Sequence, residues 1–193
     1  KLNIKINENN RIFVSGYFGR DVNAFGDLYQ MDYGNATGTL RWNHSYSGRI
    51  FSNLTLIYSD FDYTIGVPEG IYAFKWLSHI VDRGLKNDYT FYLNANNTIQ
   101  FGIQAIFHTI RPGVTEQTGD ESFINAIDYP DAHSIESAVF ISNQQKFGSR
   151  LSLQYGLRYS LFNNIGPATI YGYAENYAVN DTLKYGNWNI FNT

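Results

Sequence analysis

Apolar and polar side chains alternate with a period of two along much of this chain. Between Arg150 and Phe162, Leu151, Leu153, Tyr155, Leu157, Tyr159 and Leu161 fall on one side of an extended backbone. Arg150, Ser152, Gln154, Gly156, Arg158 and Ser160 fall on the other. A strand sends successive side chains to opposite faces, so this segment has one greasy face and one wet face. Between Thr98 and Thr109, Ile99, Phe101, Ile103, Ala105 and Phe107 oppose Gln100, Gly102, Gln104 and His108, with Ile106 as the one break in the polar face. Leu40, Trp42 and Tyr46 oppose Thr37, Thr39, Arg41, Asn43 and Ser45. Tyr89, Phe91 and Leu93 oppose Lys86, Asp88 and Thr90. A helical period of 3.6 is not the repeat here.

Turn residues separate these segments. Tight turns are predicted at 8–10, 47–49, 94–97 and 143–146, most of them containing Asn or Gly, which tolerate the positive φ of short hairpins. Long loops are predicted at 22–35, 65–71, 111–133 and from 163 onward. All four prolines fall in those loops, where none deletes a ladder hydrogen bond. Eight strands result: 1–7, 11–21, 36–46, 50–64, 72–93, 98–110, 134–142 and 149–162. They form an all-β, antiparallel, up-and-down meander in which short turns alternate with long loops. Several strands reach the ~9 to 11 residues that cross a bilayer at a tilt. Apolar-out, polar-in strands with connections of two lengths are the pattern of a transmembrane β-barrel. The expectation is therefore a β-barrel segment, with residues 1–193 part of one barrel domain. A soluble sandwich has the same alternation, with one face on a core and one in water, and a propeller has similar turn spacing. Both normally use strands of ~5 to 6 residues.

Composition narrows the classes. Aromatic residues make up 17% of the chain and charged residues only 16%, against the usual quarter charged. No apolar run approaches the ~20 residues of a spanning helix. The chain has no cysteine, which is compatible with an exported bacterial protein. A net charge of -3 gives no electrostatic footprint for nucleic acid. The chain opens directly on a strand, and its last residues, from Asn176 to Thr193, contain no closing strand. It is read as an internal piece of a longer barrel.

Four strings in order carry a family resemblance. They are Tyr33-Gly34-Asn35-Ala36-Thr37 leading into Leu40-Arg41-Trp42-Asn43-His44; Ile50-Phe51-Ser52-Asn53-Leu54-Thr55-Leu56-Ile57-Tyr58-Ser59-Asp60-Phe61; Phe107-His108-Thr109-Ile110-Arg111-Pro112-Gly113; and Leu153-Gln154-Tyr155-Gly156-Leu157-Arg158-Tyr159-Ser160. From about Ile12 to Tyr171 the chain resembles the middle of the barrel of TonB-dependent outer-membrane receptors of the Bacteroidetes type. That resemblance implies a location in the bacterial outer membrane and contact with its lipid. It implies import of a scarce small molecule or glycan, with TonB and a plug domain acting through parts absent from this chain. It implies that Arg41, Asn43, Gln154 and Arg158 line a wet lumen.

Candidate chemistry is sparse. Asp120, Glu121, Asp128, Asp131 and His133 cluster in one loop, but their spacing matches no metal-binding loop, and a solvated acidic loop is the expectation. His44, His79 and His108 lie on strands without a triad signature, and no G-x-S-x-G, H-E-x-x-H or P-loop string occurs. No catalytic residue, metal ligand or cofactor is assigned. Asn35, Asn43, Asn53, Asn96 and Asn180 each begin an N-x-Ser/Thr triplet, which an Asn-rich sequence produces by chance. Tyr29, Tyr33, Tyr171, Tyr173, Tyr177, Tyr185 and Trp188 load the first and last long loops. They are candidate ligand contacts for a sugar or chelate, or packing between loops. The alternative function is a soluble or surface-exposed all-β module that binds glycans through these aromatics.

Overall fold

The computed structural model describes residues 1–119, 121–175 and 177–191. Its strands are β1 (Leu2–Asn7), β2 (Asn10–Phe25), β3 (Tyr29–Ser47), β4 (Ile50–Val67), β5 (Phe74–Asn94), β6 (Asn97–Gln117), β7 (Ile127–Asp128), β8 (Ala132–Phe147), β9 (Leu151–Ile165), β10 (Ala168–Tyr173), β11 (Val179–Tyr185) and β12 (Ile190–Phe191). Ten of them form one sheet in the order β1-β2-β3-β4-β5-β6-β8-β9-β12, with β7 beside the end of β6. β10 and β11 make a separate hairpin. Every pairing is antiparallel. The predicted meander is present. The sheet is open rather than closed, and four short strands, β7, β10, β11 and β12, join the eight expected.

Several strands, β2, β3, β4, β6 and β9, run on beyond their alternation toward the same end of the sheet, and β8 runs on at both of its ends. β2 and β3 run on to meet at 26–28, where Gly26 takes φ +53° and the Leu28 amide donates to the Phe25 carbonyl at 3.1 Å. The long loop predicted at 22–35 is therefore a tight turn, and long and short connections do not alternate strictly. β6 continues through Pro112 to Gln117, which overturns the placement of all prolines in loops. The ladder accommodates Pro112 with a bulge: Leu77 pairs with Val114 and His79 with Arg111, so Ser78 alone faces Pro112 and Gly113. The Ser78 hydroxyl donates to the Arg111 carbonyl at 3.0 Å. The turn predicted at 143–146 is also displaced. Asn143 to Phe147 pair with Leu151 to Tyr155, and the chain reverses at 148–150 with Gly148 at φ +64°. The connections at one end are thus 8–9, 48–49, 95–96 and 148–150. Those at the other are 26–28, 68–73, 118–131 and 166–189.

Paired residues of an antiparallel ladder share a face, so the register defines rows that cross the sheet. One row is Leu2, Val14, Leu40, Leu56, Leu85, Ala105, Ser137 and Leu161; the next toward the tight turns is Ile4, Ile12, Trp42, Leu54, Asn87, Ile103, Val139 and Tyr159. His44, Ser52, Tyr89, Phe101, Ile141 and Leu157 form a third, and Ile50, Phe91, Ile99, Asn143 and Tyr155 a fourth. These four rows make an apolar band on one face. No second layer covers it: Leu153 remains 50% exposed and Leu157 74%. The buried apolar side chains among the described residues are only Ala73, Val81, Ala138 and Ile165. A sandwich would put the band's Leu and Ile inside, whereas among the described residues they stay on an uncovered face.

Candidate functional site

Behind the apolar band lies a face with the opposite chemistry. Arg11, Asn43, Asn53, Asp88, Gly102, Phe140 and Arg158 form one row, and Arg41, Thr55, Lys86, Gln104, Ala138 and Ser160 the row beside it. Gln154 pairs with Gln144 on the same face. The four residues expected to line one side, Arg41, Asn43, Gln154 and Arg158, therefore do share a face. Asn43 donates through Nδ2 to Asn53 Oδ1 at 2.9 Å, and Arg158 reaches across β8 to Gln104 Oε1 at 3.3 Å. Lys86 pairs with Asp88 at 3.1 Å. Within the band's rows, charged side chains lie on this face and none on the apolar face. Gly102 makes room for the crowding: a Cβ there would stand 2.6 Å from the Asn87 carbonyl and 2.9 Å from the Phe140 ring.

The apolar band has polar residues chiefly where it nears the tight turns. Asn10 Oδ1 accepts from Trp42 Nε1 at 2.9 Å and lies 2.7 Å from His44 Nδ1. Rings then follow one another across three strands: Trp42 to His44 (5.5 Å), His44 to Tyr46 (4.3 Å), Tyr46 to Tyr89 (6.3 Å) and Tyr89 to Phe101 (5.1 Å). Asn143 donates to Asn97 Oδ1 and to the Tyr155 hydroxyl, and that hydroxyl donates to Gln145 Oε1.

Beyond the Leu56–Leu85 row, toward the longer connections, the polarity of both faces inverts. The band gives way to ionic groups. His79 Nε2 meets Asp60 Oδ1 at 2.8 Å, and the Tyr58 hydroxyl donates to Asp60 Oδ2 at 3.0 Å. Arg20 bridges Asp32 at 2.8 Å and Asp62 at 3.1 Å, and Arg111 meets Asp131 at 3.0 Å. The opposite face turns apolar and aromatic instead. Tyr33 pairs with Tyr63, Asn35 with Phe61, and Met31 with Ile65, which in turn faces Trp76. Ile106, the exception in the alternation, belongs to this change: it flanks Gly84 together with Ile57.

The candidate aromatics do not gather into one site. Tyr29 and Tyr33 are strand residues of β3, not loop residues, and the Tyr29 hydroxyl donates to Met31 Sδ at 3.1 Å. Tyr171 and Tyr173 project from the β10–β11 hairpin, and Tyr177 is 88% exposed. Tyr185 stacks on Phe191 at 4.4 Å, and Trp188 sits 5.8 Å from Phe107. β3 and β9 are five strand spacings apart, about 24 Å along the sheet. Tyr33 instead pairs with Tyr63, whose ring lies 6.2 Å from Phe61, while Trp76 on the same face covers Gly113 and lies 6.2 Å from Tyr129; alternation alone did not single these out because they interrupt an otherwise polar face.

Asp131 is held by Arg111, and His133 stacks on Phe107 at 5.8 Å. Asp120 lies outside the described residues, as do Asn176, Asn192 and Thr193. Among the described residues no three metal-ligating side chains come together. The register does align Asp82, His108 and Ser134 in one row, with His108 Nδ1 2.7 Å from Asp82 Oδ1. Ser134 is buried and its hydroxyl makes no hydrogen bond, so the relay stops at His108. Comparison with protein-family models, with characterised proteins and with solved structures gave no match.

Proposed function

We propose that this chain is part of the β-barrel wall of a TonB-dependent receptor in a bacterial outer membrane, a transport protein rather than an enzyme. The observation that carries the membrane part of this reading is the single-layer sheet whose apolar band bears no charge while, at the same level of the strands, the opposite face bears Arg11, Arg41, Lys86, Asp88 and Arg158. In water the band would leave its Leu, Ile and aromatic side chains uncovered, forfeiting ~1.5 to 3 kcal/mol for each that a core would bury. In a bilayer the same band is the favoured surface. From Leu151 to Leu161 it covers about 33 Å of strand, which a tilt of about 40° reduces to about 25 Å, the height of a barrel's apolar belt. The ring series ending at Phe101 stands where an interfacial aromatic girdle belongs.

Arg41, Asn43, Gln154 and Arg158 then face a lumen wetted by water or by a plug. The free edges of β1 and of β9 below Asn164 would expose unpaired amides and carbonyls to lipid, which costs several kcal/mol each. The reading therefore requires further strands on both sides, and β12 already occupies the top of the outer edge of β9. The assignment to TonB-dependent receptors, and import of a siderophore, glycan or similar nutrient with TonB and a plug as partners, rests on the four resembling strings. Membranes carrying the full-length protein test the location: it should resist alkaline carbonate and require detergent for release. Recovery in the soluble fraction refutes the reading and restores the glycan-binding module.

A further inference from the structure

Immediately above the charge-free band, on the same face, stands one guanidinium that the surrounding carboxylates leave unpaired. Arg83 occupies the row of Gly38, Tyr58, Phe107 and Ile135, next to the Leu56–Leu85–Ala105 row. Arg20, His79 and Arg111 each lie within 4.0 Å of a carboxylate. Arg83 does not, among the described residues, and its hydrogen bond is to Thr109 Oγ1 at 3.4 Å. Asp60, the acid in the neighbouring row, gives its two oxygens to His79 and Tyr58, and Arg83 acts on it only through charge at longer range.

Below the guanidinium runs a shallow groove of about 370 Å³. Its floor is Ala105, its sides are Leu56, Leu85 and Ile135, and Phe107 stands at its head beside Arg83. A second groove over Gly38 lies on the other side of Leu56. Small residues at Ala105 and Gly38 between larger ones make channels for chains, and apart from Arg83 at the head of the first their linings carry no charge. We infer that Arg83 and the groove over Ala105 form a binding site for a phosphate-bearing lipid of the leaflet on the long-connection side, one acyl chain in the groove and the phosphate at the guanidinium.

The chemistry matches part by part. A guanidinium presents several N–H donors in a planar fork suited to phosphate oxygens. It sits where the apolar band ends, the level at which a headgroup meets the acyl region. The Trp188 and Phe107 rings and the Tyr58 hydroxyl stand at the same level, as amphipathic rings do at a membrane boundary. This inference rests on the barrel reading, because only a band immersed in lipid presents the groove to acyl chains.

The test uses the full-length protein extracted from membranes in mild detergent and native mass spectrometry of lipid binding. The probes are phosphatidic acid, phosphatidylcholine with the same acyl chains, and inorganic phosphate. The wild type should hold phosphatidic acid about tenfold more tightly than phosphatidylcholine. Arg83→Gln should abolish that preference and Arg83→Lys keep part of it. Ala105→Phe should weaken both lipids by filling the groove. Inorganic phosphate should not displace the lipid. Equal binding of the two lipids by the wild type, an unchanged preference in Arg83→Gln, or displacement by inorganic phosphate overturns the inference. Alkaline extraction of the same membranes separates the two levels: a protein that washes out refutes the barrel and the site together, whereas one that stays but shows no preference refutes the site alone.

Discussion

Arginine at position 157 separates a membrane wall from a water-exposed sheet. Leu157 lies on the apolar face of β9, within the stretch from Leu151 to Leu161, and about 3 Å along the strand from its midpoint. It is 74% exposed, so nothing in the protein needs to move for a longer side chain. If the band faces water, Leu157→Arg costs within about 0.5 kcal/mol, as exposed substitutions do. If it faces hydrocarbon near the midplane, the cost is about 2 to 4 kcal/mol. That is about 30-fold to about 800-fold in the folding equilibrium. Ser160→Arg is the matched control, three residues away on the opposite face, paired with Ala138 and accepting at 3.2 Å from Arg158 Nε. It should change stability by less than about 1 kcal/mol if that face is wet. The assay is urea-dependent folding of the full-length protein into phospholipid vesicles, read by protease protection. A neutral Leu157→Arg together with a costly Ser160→Arg would invert the face assignment, and two neutral variants would remove the membrane.

Other consequences are measurable in the same system. Protease added to intact cells should cut within 118–131 and spare 95–96; the reverse pattern would turn the wall upside down. Gly102→Leu should destabilise by about 1 to 3 kcal/mol because its side chain meets the Asn87 carbonyl and the Phe140 ring. Gly38→Leu, where an added Cβ meets nothing within 4 Å, should be tolerated, and equal urea midpoints for the two would refute the packing argument. Asp62→Asn should lower stability by under about 1 kcal/mol, since Arg20 keeps Asp32 and the pair is exposed; a larger drop in urea midpoint would mean that the ionic rows are closed to solvent.

Period-two alternation located strands wherever their two faces differ in polarity. Leu151 to Leu161 against Arg150 to Ser160 is the clearest case, and the two sets do fall on opposite faces of β9, although the turn before it lies at 148–150 and not at 143–146. Where the faces cease to differ in that sense, the pattern disappeared and the strands looked like loops. Asp21, Asn23, Asp32 and Tyr33 stand in such a region, so the hairpin tip at Gly26 was read as part of a long loop. Pro112 was placed in a loop because a proline cannot donate, whereas a bulge opposite Ser78 removes the need. Asn143-Gln144-Gln145 has a turn's composition, yet its backbone pairs fully with β9, and Gly148 makes the turn. The polar face was legible through Arg41, Asn43, Gln154 and Arg158. The meeting of Tyr33 with Tyr63 and Phe61 was not, because it depends on the inversion of both faces, and cross-strand register brings it together.

The order of the strands also bears on how the sheet comes to exist. Through β6 each strand of the main sheet pairs with the one just before it in the chain, and only 118–131 separates β6 from β8. Assembly can therefore proceed as a sequence of local closures, each needing only the previous strand as template, with no distant segment to find. Closure entropy rises by only about 0.6 kcal/mol for each doubling of a connection. The longer connections are thus free to diverge in length while the tight turns keep the register. The longest closure is between β9 and β12, where the chain makes the β10–β11 excursion before returning to the edge it left.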